Sequence, residues 1–303
     1  ESIKNYSSLE PRLSMNILLG ESSSVKASYN RMTQYIHLLS NTAASSSLDV
    51  WTPSTNNIKP EIADAYVLGY FKNFKNNTYE ASIELYYKDL QNQIDYIDGA
   101  DLLINKYLEG DLLTGIGRAY GLEFLFKKNR GRFNGWLSYT IGRSELKIDG
   151  INKFEWYPTR YDQTHNFKIT STYKISDRVQ FSGNFVYLTG TPVTFPSSKF
   201  VIQGFVIPHN ASNSRHQFRI PDYHRLDFSV TIKGRDEKKN GKVRKNDSEL
   251  IIGVYNVYNR RNPFSIYFSQ GDGMVTDSYV PGEVTRLSII GSFVPSITYN
   301  FKF

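Results

Sequence analysis

The last eighteen residues, RLSIIGSFVPSITYNFKF, alternate apolar and polar side chains almost without a break. Leu287, Ile289, Phe293, Ile297, Tyr299, Phe301 and Phe303 fall on one parity, and Ser288, Ser292, Ser296, Thr298, Asn300 and Lys302 on the other. Successive side chains of a strand point to opposite sides, so the pattern predicts a long strand with one greasy and one mostly polar face. The same period recurs in Tyr79, Ala81, Ile83, Leu85 and Tyr87 against Glu80, Ser82, Glu84 and Lys88, and in Leu226, Phe228, Val230 and Ile232 against Arg225, Asp227 and Lys233. Taken segment by segment, alternation predicts about eleven strands, near 11–20, 25–38, 63–74, 78–96, 114–128, 132–147, 164–175, 179–194, 222–235, 249–269 and 285–303.

The connections carry a second period. Tight turns at 21–24, 75–77, 129–131 and 176–177, with a longer polar member from Asp236 to Ser248, alternate with long loops near 40–61, 98–113, 149–163, 197–221 and 271–283. In an antiparallel meander this gathers all tight turns at one end and all long loops at the other, the asymmetry of an outer-membrane barrel. The expected fold is therefore all-β, an antiparallel transmembrane β-barrel. A soluble sandwich also alternates. Against it stand the charges on the polar face (Glu80, Glu84, Lys88, Arg225, Asp227, Lys233), the tyrosines near strand ends (Tyr79, Tyr87, Tyr173, Tyr299), and strands far longer than globular ones. An odd number of up-and-down strands does not close antiparallel, so further strands are expected ahead of Glu1.

Composition sharpens this reading. Aromatic residues make up 15% of the 303-residue chain, with 22 Tyr and 19 Phe, which favours strands. The absence of cysteine excludes disulfides and thiolate metal sites. A net charge of +7 raises the question of nucleic acid, but much of the excess sits in Lys233–Lys245 and no basic helix face exists, so no nucleic-acid partner is expected.

No enzyme motif is present. The five histidines, His37, His165, His209, His216 and His224, lie on separate segments without His-Glu-x-x-His spacing, and no glycine-flanked serine elbow occurs. A Ser-His-Asp set assembled from distant strands is the remaining enzymatic alternative. Asp98–Asp101 and Gly271–Gly273 lack the spaced ligands of a calcium loop and read as turns. Neither catalytic, cofactor nor metal residues are expected. The long loops are the place for recognition. There Trp51, Tyr107, Trp156, Tyr157, Arg160 and Tyr161 combine aromatic faces with a guanidinium, chemistry suited to sugars, peptides or anionic chelates, although each ring also suits loop packing.

The segments LEPRLSMNILL, IKPEIADAYVLGYFKNF, YEASIELYYKDLQNQIDYIDGADLL, RAYGLEFLFKK, WYPTRYDQTHNFKIT, YHRLDFSVTIKG, GVYNVYNRRNPFSIYF and VPSITYNFKF, in this order, resemble the TonB-dependent outer-membrane receptors in the form abundant in Bacteroidetes. The resemblance implies a 22-stranded barrel of which residues 1–303 supply the C-terminal half, with the plug domain outside this sequence. It also implies import of a scarce small solute (siderophore, metal chelate, oligosaccharide or peptide) at the bacterial outer membrane. The partners implied are outer-membrane lipid, the TonB complex through a segment outside this sequence, and a surface lipoprotein. Phe301 and Phe303 resemble the terminal aromatic signal read by the barrel assembly machinery. A structural barrel subunit of a larger outer-membrane complex is the alternative role.

Overall fold

The computed structural model describes residues 4–40, 49–98, 100, 102, 105–202, 205–209, 214–235, 247–270 and 282–302. Eleven strands form one wall: β1 (Arg12–Gly20), β2 (Ser23–Gln34), β3 (Glu61–Phe74), β4 (Tyr79–Tyr96), β5 (Leu112–Lys128) and β6 (Phe133–Ile148). They continue with β7 (His165–Lys174), β8 (Val179–Leu188), β9 (Tyr223–Lys233), β10 (Asp247–Tyr255) and β11 (Val294–Lys302). Each is antiparallel to the next in chain order, a pure meander, and β1 and β11 are its edges.

Register carries the two faces across the whole wall, because directly paired residues share a face. Tyr29, Tyr66, Tyr87 and Tyr120 stand in one row across β2 to β5. Four positions nearer the tight turns along β6 to β9, Tyr139, Phe167, Tyr187 and His224 form another row on the same face. Ile83, Phe124, Leu137, Ile169, Phe185 and Leu226 fill the zone between these rings and the turns. Glu80, Glu84, Lys88, Arg225, Asp227 and Lys233 all take the opposite parity, as the alternation predicts. There Arg225 lies 4.0 Å over the Tyr255 ring and donates through Nε to Asp227 at 3.0 Å.

Four predicted strands are interrupted. The segment 179–194 leaves the wall after Leu188, and its Pro192–Val193 pairs with Phe218–Arg219. The segment 25–38 breaks at Tyr35, after which Ile36–Ser40 pairs with Asp49–Pro53 as a separate hairpin. The segment 249–269 ends its wall strand at Tyr255, because Asn256 and Asn259 turn into the left-handed region at φ 57° and 56°. Asn tolerates that region, and the Asn256 amide closes the turn by bonding both the N–H and the carbonyl of Arg260. The alternation of the last eighteen residues spans two elements, a hairpin arm Gly282–Leu287 paired with Ser265–Gln270 and the wall strand β11. Pro295, without an N–H to lend to a ladder, sits near the start of β11, where it is tolerated. Phe303 lies outside the described residues, as do Gly271–Gly273.

Among the described residues the wall has no second layer. An enclosed apolar cluster, Ile148, Ile151 and Tyr157 with Leu113 and Leu146 against them, lies at the long-loop end. Leu113, Leu146 and Ile148 belong to the polar-face parity, so the long loops fold over that side of the wall.

Candidate functional site

The long-loop end is organised around one buried guanidinium. β4 carries a bulge between Leu90 and Gln93, with Asn92 at φ 55°, and the ladder resumes beyond it to bring Asp95 to the rim. Across the rim, Tyr157 and Pro158 add a two-residue strand to Leu146 and Glu145 of β6. This pairing seats the Tyr157 ring on the apolar cluster, and its hydroxyl donates to Asp95 Oδ2 at 2.7 Å.

Arg215 enters from the loop between β8 and β9. Its Nη1 donates to Asp95 Oδ1 at 2.6 Å, and its Nη2 to the Tyr96 carbonyl at 2.7 Å and Asp98 Oδ1 at 3.0 Å. The guanidinium lies 4.5 Å over the Tyr96 ring, and only 1% of the side chain is exposed. The Arg215 backbone N–H is received by Asn152 Oδ1 at 2.6 Å. Next to it His216 donates from Nδ1 to the Pro158 carbonyl at 2.7 Å, while its own N–H bonds Thr194 Oγ1. Three loops thereby close on one point: 97–111, 149–164 and 189–222.

The electrostatics follow from dryness. Burial resists the Arg215 charge, but Asp95, Tyr96 and Asp98 around it hold the guanidinium protonated. Burial first, and the Asp95 carboxylate second, push the Tyr157 phenol far above its usual range. Burial lowers His216 to about 4, so its ring is neutral at physiological pH with the proton on Nδ1 and the Nε2 lone pair unpartnered.

A second tier ties down the base of the same loop. Arg219 bonds the Asp162 carboxylate and carbonyl and the Gly190 carbonyl, while Asp162 Oδ1 accepts the Ser144 N–H at 2.7 Å. Asp222 accepts from Tyr187 Oη at 2.6 Å and from the Gly190 N–H at 2.9 Å, and these bonds hold its carboxyl below the usual range. Gly190 is required by space. A Cβ there would fall 1.7 Å from the Ile220 carbonyl oxygen, so the two ends of the loop cross only over a glycine.

The loop residues singled out from sequence divide among different settings. Trp51 and Tyr107 are 63% and 74% exposed on separate loops. Tyr161 is 62% exposed and Arg160 half-buried on the loop that carries Tyr157. Trp156 stacks over the Arg118 guanidinium at 4.0 Å, on the apolar-face parity, and Tyr157 is buried in the clasp. The structure thus places four of the six on one loop without gathering all six into one pocket. Arg215, Asp95, His216, Asp162 and Arg219 were not legible. Asp95 sits at the end of a predicted strand, the segments of the other four have no period, and the partners lie 57 to 120 residues away.

A serine–histidine–carboxylate series does occur: His37 Nε2 lies 2.9 Å from Ser54 Oγ and Nδ1 lies 3.3 Å from Glu61 Oε1. The imidazole is fully buried. It therefore joins the 36–53 hairpin to the foot of β3, in a position that an incoming ester or amide does not reach.

Among curated proteins none matches the chain in sequence. Solved structures match over nearly its whole length. The siderophore receptor PiuA from Acinetobacter baumannii superposes with a TM-score of 0.59 at 15% identity, covering 96% of this chain and 35% of that one. The pyoverdine outer-membrane receptor FpvA from Pseudomonas aeruginosa PAO1 gives 0.59 at 12%, covering 97% and 36%. The ferric citrate transporter FecA in its unliganded form gives 0.56 at 15%, covering 97% and 38%. The chain spans about a third of the length of these receptors. The family model described as TonB dependent receptor-like, beta-barrel, matches residues 1–257. With its meander, its two-faced wall and its loops gathered at one end, the chain belongs to the TonB-dependent receptor β-barrel family of the outer membrane.

Proposed function

We propose that residues 1–303 are the C-terminal half of the barrel of an outer-membrane transporter that captures a scarce solute at the loop end and imports it. The observation that carries this reading is the Arg215 clasp. A rim whose loops are locked over the polar side of the wall is a preorganised mouth, and preorganisation lowers the ordering cost of binding. Tyr107, Arg160 and Tyr161 on those loops, and Trp51 on the separate 36–53 hairpin, are the residues offered to the solute, with aromatic faces for stacking and a guanidinium for anionic groups.

Among the solved neighbours PiuA is a siderophore receptor, FpvA a pyoverdine receptor and FecA a ferric citrate transporter, which makes a ferric siderophore or ferric citrate the first probe, ahead of an oligosaccharide or peptide. In this reading TonB engages a segment outside these residues, a plug fills the lumen, a surface lipoprotein caps the mouth, and the assembly machinery reads Phe301 and Phe303. No bond is made or broken on this chain.

The test is binding by the intact protein in detergent, measured calorimetrically against a panel of ferric chelates, oligosaccharides and peptides, together with uptake in cells. Saturable binding that weakens on Arg160→Ala and Tyr161→Ala, with loss of uptake on deleting the gene, is the expected result. A receptor that binds none of the panel and purifies in fixed stoichiometry with other outer-membrane proteins would move the chain to the structural-subunit reading.

A further inference from the structure

The tight-turn end of the wall is strongly basic. Within the described segments 20–26, 72–80, 126–133, 173–180, 232–235, 247–249 and 300–302 there are twelve Lys and Arg against five Asp and Glu. That surplus of seven equals the formal net charge of the entire chain, +7, so the remainder is balanced. In an outer-membrane barrel this end meets the periplasmic leaflet.

Part of this charge faces lipid. Lys72 and Lys128 take the parity of Phe74, Tyr79 and Phe126, the apolar face, and Tyr79 pairs directly with both Phe74 and Lys128. The Lys75 and Lys128 ammonium groups lie 5.9 and 5.8 Å from the Tyr79 ring centroid, and Lys128 is 5.5 Å from that of Phe133. Tyr79 itself stacks on Phe126 at 5.9 Å. Among the described residues the ion pair of this region, Lys127 with Glu80 at 3.8 Å, belongs to the opposite face and takes neither Lys75 nor Lys128. Two ammonium groups without carboxylates therefore share one amphipathic ring at the boundary between lipid chains and water. An aromatic ring prefers that depth, lysine stems reach along it to the headgroups, and an anionic headgroup supplies the missing charge.

We propose that Lys75 and Lys128, with Tyr79 between them and Lys72 beside them, form a binding site for the headgroup phosphate of an anionic phospholipid in the periplasmic leaflet. The depth selects the source: the apolar flanks Phe74, Phe126 and Phe133 accept acyl chains, which a soluble phosphate or an acidic protein does not have. Lipid bound here anchors the wall beside the turns that join β3 to β4 and β5 to β6.

The test uses the intact outer-membrane protein in nanodiscs of equal phosphatidylglycerol and phosphatidylethanolamine, with the lipids it retains counted by native mass spectrometry. The expected result is a preference for phosphatidylglycerol of about 30-fold or more, as two to three cations at a charged surface give. It should fall towards parity in K75Q/K128Q and persist in K153Q, a change at the mouth. Raised salt should weaken it, since exposed charges are screened within about 8 Å at physiological ionic strength. Equal retention of the two lipids by the wild type overturns the proposal, and so does a preference that K75Q/K128Q leaves intact. Loss of a co-purifying acidic periplasmic protein in that variant, without any lipid preference in the wild type, would assign the cations to a protein instead.

Discussion

Arg215 and Asp95, 120 residues apart in the chain, meet at 2.6 Å in a site that leaves 1% of the arginine side chain and 10% of the aspartate side chain exposed. A pair so dry is sensitive to the loss of either member, because the survivor is left charged and unpartnered, at a cost of about 3–5 kcal/mol. Arg215→Ala is therefore expected to release the 189–222 loop while the wall strands keep their ladders. Amide hydrogen exchange of the intact protein in detergent checks this. Protection should fall in the loop and at Asp95–Tyr96, and hold in β7 and β8. Uniform loss of protection across the wall would show that the clasp supports the barrel and not the mouth alone.

Tyr157 shares Asp95 with Arg215, so the two side chains should not act independently. Tyr157→Phe removes one buried donor and should cost about 1–2 kcal/mol of local stability. Combined with Arg215→Ala its effect should depart from the sum by about 0.5–3 kcal/mol, as expected for residues on a common partner. The measurement is the opening free energy of residues 157–158 from hydrogen exchange in the two single variants and the double. Strict additivity would mean that the Asp95 carboxylate does not connect them.

The clasp should also loosen in acid. Burial holds His216 at about 4 against about 6.5 for a free imidazole. Between these values the unfolded loop binds more protons than the folded one, so stability rises with pH through this window and is flat above it. Moving from pH 7 to pH 5 should cost about 2 kcal/mol. Asp95, Arg215 and Arg160 are the charges that bear on the ring, Asp95 favouring its protonation and both arginines opposing it. Exchange at 214–219, corrected for its intrinsic pH dependence, should accelerate accordingly in the wild type and not in His216→Gln. An identical pH profile in both proteins would remove His216 from the account.

The wall was legible in sequence because a period of two over ten residues leaves one placement for each side chain, and a one-residue slip would move Tyr79, Ile83 and Leu85 to the wrong face. The ends of strands were not. The strands predicted over 25–38 and 249–269 run into Ile36–Ser40 and Ser265–Gln270, yet those residues leave the wall to pair in hairpins of their own, a choice made by turns at Tyr35 and Asn256 and not by period. The clasp was hidden for a different reason. Arg215 lies in SNSRHQF, a segment without period or motif, and only the fold reveals that its partner is an aspartate beyond a bulge. Tyr157 reads in sequence as an aromatic loop residue, but its hydroxyl bond to Asp95 depends on the two-residue strand that seats it.

Parity gives the most direct test of the wall. Ile83 lies midway between Tyr79 and Tyr87 on the apolar face, and its neighbour Glu84 takes the polar face opposite Glu123. Arginine facing lipid near the membrane midplane costs about 2–4 kcal/mol, so Ile83→Arg should lower the unfolding free energy by that amount in reversible denaturant titrations with lipid vesicles. Glu84→Arg adds the same side chain one residue away but should change stability by less than about 1 kcal/mol, because it faces water and gains Glu123 as an opposite charge. The contrast between adjacent positions tests the two-faced assignment of β4, and its dependence on lipid separates the folds: a barrel folds and shows it only with vesicles present, whereas a sandwich, whose greasy face meets a second sheet, shows it in plain buffer. Equal losses at both positions would mean that the Glu84 side of β4 is as closely packed as the Ile83 side, and the assignment of one apolar and one water-facing side to this strand would fall with it.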